Sequence, residues 1–162
     1  MLNTSNVVNM SYAFYATTSL DTLPALDTSN VTDMSHMLEG SGITHLPMLD
    51  TGRVVTMDSM LRVCTSLVEI PTFNTVNLKN MVFMAEGCTS LRHVPLFDVS
   101  SLENISGAFQ DCTNVESGSY ALYQRASTEA THLTLHAGAF QDCGSNTTTG
   151  AAELAQIPSD WK

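Results

Sequence analysis

Apolar residues recur along this chain at a fixed step. Met10, Met34, Met57, Met81 and Ile105 are spaced by 24, 23, 24 and 24 residues. Other columns keep the same period: Val7, Val31, Val54, Leu78 and Leu102; Phe14, Leu38, Leu61, Ala85 and Phe109; Leu20, Ile43, Leu67, Leu91 and Val115. Pro24, Pro47, Pro71 and Pro95 mark a fourth. The unit is plainest in LDTSNVTDMSHMLEGSGITHLPM, residues 26–48. Five copies run from Leu2 to Gly118, and AGAFQDC at 137–143 echoes SGAFQDC at 106–112 after a step of 31. A unit this short cannot bury its apolar side chains alone, so the period predicts stacked coils whose columns cover one another. The Leu67-x-x-Ile70-Pro71 segment predicts a short parallel strand ending at its proline, which has no ladder donor. The Val-x-x-Met-x-x-Met/Ala-Leu/Phe segment has a spacing of three, which suits a 3₁₀ or irregular turn pointing inward. The DTSN runs between them supply turns closed by their own side chains.

The unit Phe/Leu-Asp-Thr-Ser-Asn-Val-Thr-Asp-Met-Ser-x-Met-Leu/Phe-x-x-Cys-Thr-Ser-Leu, carried by residues 27–37, 57–67, 81–91 and 98–112, resembles the BspA-like leucine-rich repeats of bacterial surface proteins. It is most similar to the mycoplasma-type surface-lipoprotein variant. The closing AELAQIPSDWK, residues 152–162, resembles the end of short repeat proteins encoded in phages and prophages. The expected fold is therefore an α/β solenoid of leucine-rich-repeat type, with short parallel strands, 23–24-residue repeats and a helical C-terminal cap. Residues 1–118 form the five repeats. Residues 119–162 hold a helical insertion, the partial sixth repeat and the cap, with helix-compatible segments at 119–130 and 150–158 and Trp161 placed to cover the last coil. The resemblance implies binding to host or matrix proteins and brings no catalytic residues with it.

Charge narrows the partners. Six Lys and Arg stand against 16 Asp and Glu, a formal net charge of −10, and only 14% of residues are charged. Without a basic stripe to neutralise phosphates, nucleic acid is not an expected partner. Docking on anionic membrane surfaces is disfavoured on the same ground. No run approaches the roughly 18 apolar residues of a spanning helix, so no membrane insertion is expected. The opening MLNTSNVVNM has no basic stretch followed by an apolar run, so it contains no recognisable export leader.

Four columns carry chemistry worth weighing. Thr22, His45, Glu69 and His93 precede an inward Leu, Ile or Val and should point outward, making this the best candidate for a ligand-facing surface. His45 and His93 would lie about 10 Å apart across two coils, too far to share one ion. Cys64, Cys88 and Cys112 share a column that Cys143 continues, and small buried side chains at a tight turn are the expected role. No CxxC or HxxxH spacing supports zinc. Asp27, Asp50, Asn74 and Asp98 form an acidic ladder, read as turn-capping rather than a calcium site because no calcium-loop spacing is present. Val7, Met10 and Phe14 belong to the first coil and have no coil before them to cover them. They define an N-terminal docking face, expected to be covered by further chain, a partner or another copy.

No G-x-S-x-G, H-E-x-x-H or glycine-rich phosphate loop occurs, and no cofactor or metal is expected. The functional expectation is a non-enzymatic binding or adhesion module presenting a face to a protein or glycan, on a bacterial surface or phage particle. The alternative is a structural or assembly element of a phage tail or larger surface protein.

Overall fold

A computed structural model describes residues 2–162. It overturns the α/β solenoid with short parallel strands. Among the described residues there is no strand and no sheet. Parallel pairing is confined to single positions, such as Thr22 with His45 and His93 with Ser117. The Leu-x-x-Ile-Pro segment is extended, but it makes few bonds to its neighbours; Thr44 N–H to Asp21 O and Arg92 N–H to Val68 O are two of them. Proline at its end removes a donor, and the ladder does not propagate.

The coils are joined instead through the segment that follows each Met column. Met10, Tyr12, Phe14 and Ala16 donate N–H to the carbonyls of Asp33, Ser35, Met37 and Glu39 at 2.9, 3.0, 2.8 and 2.7 Å. One coil further, Met57, Ser59, Leu61 and Val63 donate in the same way to Asn80, Val82, Met84 and Glu86. Intervening residues turn back on their own coil, as Ala13 N–H does to Met10 O and Met60 N–H to Met57 O, both at 3.1 Å. Every donor of this kind points toward the C-terminal end of the stack and every acceptor toward the N-terminal end. Such a ribbon needs left-handed residues at regular places. Tyr12, His36, Ser59 and Phe83 take φ of 59°, 56°, 53° and 49°, in one column with Gly107 and Gly138. An L side chain costs about 1 kcal/mol or more there, so packing elsewhere holds it.

Two side-chain turns close each coil. Asp27 Oδ1 accepts from Ser29 N and Oγ, Asp50 Oδ1 from Gly52 N, Asn74 Oδ1 from Val76 N and Asp98 Oδ1 from Ser100 N and Oγ. This is the turn-capping role expected of the acidic ladder. A second set lies six residues on: Asp33, Asn80 and Asn104 accept from Ser35, Val82 and Ser106 N–H, with Thr56 doing the same through its hydroxyl for Asp58. Buried threonines tie neighbouring coils together, Thr28, Thr51 and Thr75 donating to the carbonyls of Asp50, Asn74 and Asp98 at 2.9, 2.9 and 2.8 Å. A buried hydroxyl left without a partner costs about 1–3 kcal/mol, so these carbonyls meet a real need of the buried threonines.

The interior is a stack of apolar columns. Val31, Met34, Met37, Leu38 and Ile43 are fully buried, and Val54, Met57, Met60, Leu61 and Leu67 repeat them one coil on. Methionine fills the middle because its flexible thioether adapts to a narrow, regular gap.

The C-terminal end carries the helices: α1, Ser119–Glu129, and α2, Thr148–Gln156, followed by a 3₁₀ turn at Ser159–Trp161. Gly118 precedes α1 with φ 99° and no side chain to cap it. The cap comes from α2. Glu153 accepts from Gly118 N, Ser119 Oγ and Tyr120 N at 3.3, 2.9 and 3.1 Å. A carboxylate there satisfies orphan donors and meets the positive end of the helix. Glu153→Ala is expected to lower stability by about 2 kcal/mol, read by urea unfolding, with Glu153→Gln losing less. Trp161 stacks on His136 at 4.3 Å and meets Tyr123 edge-on at 5.2 Å, and its carbonyl accepts Phe140 N–H at 2.9 Å.

Candidate functional site

Thr22, His45, Glu69 and His93 are all exposed. Nδ1 of His45 lies 2.8 Å from Thr44 Oγ1, and Thr44 in turn bonds Asp21. Nδ1 of His93 lies 2.9 Å from Ser117 Oγ. Glu69 joins His45, Leu46, Ile70 and Pro71 around a shallow recess of about 250 Å³. Among the described residues no three His, Cys, Asp or Glu side chains converge where they could hold a metal ion. The column is thus an open, polar strip that could make hydrogen bonds over several coils.

The N-terminal residues are placed differently. Val7 and Phe14 are half-buried and Met10 is buried, while Val31, Leu38 and Met34, their counterparts one coil on, are sealed completely.

Sequence reasoning missed a second face, formed by the ribbon itself. Tyr12, Tyr15 and Phe83 stand out from it, 56%, 49% and 38% exposed. Tyr12 stacks on His36 at 4.5 Å and lies 5.6 Å from Tyr15. Nδ1 of His36 is 2.5 Å from Glu39 Oε2. Arg62 bridges Glu39 and Glu86, and its guanidinium lies 5.9 Å over the Phe83 ring. Hydrogen bonding to Glu86, ahead of any other cause, holds the Arg62 pKa above its usual value. The signal was present as two columns, Tyr12/His36/Ser59/Phe83 and Tyr15/Glu39/Arg62/Glu86. Their spacing of three puts both columns on one face away from the Met column even in a 3₁₀ reading, so the sequence held enough to find them.

The chain matches the model of a family described as mycoplasma protein of unknown function, DUF285, over residues 1–45, 23–121 and 43–146. It belongs to that family. The overlapping matches reflect the repeat, and they agree with the mycoplasma-type unit read from the sequence. Comparisons with curated proteins and with solved structures return no match.

In this DUF285 chain the thiol column is inside the stack. Cys64, Cys88, Cys112 and Cys143 are free and buried. Cys64, Cys88 and Cys112 donate to Leu38, Leu61 and Ala85 carbonyls at 3.1, 3.1 and 3.0 Å. Burial pushes all four thiols up, Cys88 and Cys112 well above the usual value and Cys143 to about 12. They serve as small core residues with a weak donor, as the sequence suggested.

Proposed function

We propose that this DUF285 chain is a non-enzymatic binding or adhesion module that presents a repeat face to a protein or glycan. The observation that carries this reading is the alignment of exposed side chains into strips, Thr22, His45, Glu69 and His93 foremost, over successive coils. Such a strip favours broad contact made of many modest hydrogen bonds. The resemblance to BspA-like surface repeats, and of the closing segment to phage-encoded proteins, supports a setting on a bacterial surface or phage particle.

The test is binding of the chain to a panel of matrix glycoproteins and to a glycan array. His45→Ala/Glu69→Ala/His93→Ala should weaken any specific interaction at least tenfold. Unchanged affinity for every ligand bound removes these residues from the site. The half-buried Val7 and Phe14 favour a second reading, an assembly element. Under it, Val7→Asp and Phe14→Asp abolish self-association in light scattering while the triple alanine variant does not.

A further inference from the structure

The rings that stand out from the ribbon are costly where they are. Tyr12 holds φ 59°, in the column where Gly107 and Gly138 occupy the same backbone at no steric cost. Its ring is more exposed than buried, so burial does not repay that strain. It stacks on His36, and Tyr15 leans beside it at an interplanar angle of 59°. Strain kept at a residue whose side chain faces solvent points to a use for that side chain.

We propose that the ribbon face bears a docking site for a cationic, Lys/Arg-bearing segment of a partner protein, centred on Tyr12 and Tyr15. The proposal rests on the binding-module reading and names its partner. Aromatic faces attract guanidinium and ammonium groups. The chain already shows this contact internally, with Arg62 over Phe83. Among the described residues Tyr12 and Tyr15 have no such cation. Beside Tyr12, Glu39 pairs with both His36 and Arg62, whereas the Asp33 carboxylate on the same coil accepts only from Asn9 and Ser35 and pairs with no cation. Over the whole chain 16 acidic residues face six basic ones, and the described ion pairs involve only Glu39, Glu86, Glu103, Glu116 and Glu129. The unpaired carboxylates draw a basic segment in, and the two rings fix where it sits.

The test uses a synthetic twelve-residue Lys/Arg-rich peptide, a neutral peptide of equal length and a neutral oligosaccharide, with affinity read by fluorescence anisotropy at two salt concentrations. The parent chain should bind the basic peptide, more weakly at high salt, and bind the neutral probes at least tenfold less. Tyr12→Ala/Tyr15→Ala leaves the net charge unchanged and should cost at least fivefold. Tyr12→Gly should weaken binding while leaving the melting temperature level or higher, which a purely structural role for the ring does not allow. Equal affinity in the double variant means diffuse attraction to an acidic protein and overturns the proposal. Preferred binding of the oligosaccharide overturns it too. Loss of peptide binding on His45→Ala/Glu69→Ala/His93→Ala, with the tyrosine variants unaffected, overturns the ribbon site while leaving the binding-module reading intact. Failure of every ligand on both faces removes that reading as well.

Discussion

Between pH 8 and pH 10 the folded chain is expected to lose about 5 kcal/mol of stability through its thiols. A buried thiol whose pKa is raised stays neutral in the folded state, while the same thiol in the unfolded chain ionises near its ordinary pKa of about 8.5–9. The unfolded state then binds fewer protons than the folded one, so stability is complete below that value and falls as pH rises. Each thiol that remains protonated at pH 10 contributes about 1.5–2 kcal/mol of this loss. Cys88, Cys112 and Cys143 qualify because burial, the leading cause in each, raises their pKa. Urea unfolding at half-unit pH steps measures the slope, and Cys88→Ala/Cys112→Ala should remove about two-thirds of the thiol contribution (three thiols reduced to one) whatever its own effect at pH 7. An equal slope in that variant shows that the thiols ionise in the folded state. Thiol labelling at pH 8 gives the companion result, slow in the native chain and fast in denaturant.

Gly118→Ala is expected to cost about 3–4 kcal/mol. Two penalties coincide there. The residue holds φ 99°, and a Cβ would lie 2.1 Å from Val94 O, with the other near atoms also in the Val94 backbone. Backbone cannot rotate away as a side chain can. Gly138→Ala isolates the first penalty: φ is 67°, but the nearest atoms are the Gln110 and Gln141 side-chain oxygens at 3.6 Å. It should cost only about 1 kcal/mol. The difference between the two variants in denaturant midpoint reports how closely α1 is pinned to the coil before it. Equal losses would mean that the start of α1 moves aside freely.

The columns of this molecule were open to reading because burial repeats with the coil. Met34, Met57 and Met81 occupy one core position, and no secondary-structure assumption is needed to find it. The acidic ladder was legible for a similar reason, since Asp27 and Ser29 carry their hydrogen bond within three residues. The strands were a mistake of a definite kind. Leu-x-x-Ile-Pro has the composition of a strand, yet pairing depends on neighbours a full coil away. Those neighbours pair only at single positions, Thr22 with His45 and His93 with Ser117, while other residues of each coil join the stack through the ribbon. That ribbon was hidden because Val63 and Phe83 sit at φ 57° and 49°, values that β-branched and aromatic residues ordinarily avoid. The aromatic face went unread although its spacing of three was in the sequence. Glu153 was invisible for a third reason: the donors it caps lie 33 to 35 residues earlier in the chain.

The shared direction of the donors in the ribbon has an evolutionary consequence. Within the ribbon each coil offers N–H groups on one side and carbonyls on the other, as Met57 to Val63 do toward Asn80 to Glu86, and the bonds outside it repeat with the same polarity from coil to coil, as Val55 N–H to Thr32 O and Lys79 N–H to Val55 O do. Excision of one whole unit by recombination brings a donor edge onto the carbonyl edge of the next coil but one. The new junction has the same chemistry as the old. Duplication works equally well, whereas inverting a unit sets like edges against each other. Length variants that differ by 23 or 24 residues should therefore keep folding, and such a gene can drift in repeat number without passing through an unfolded product.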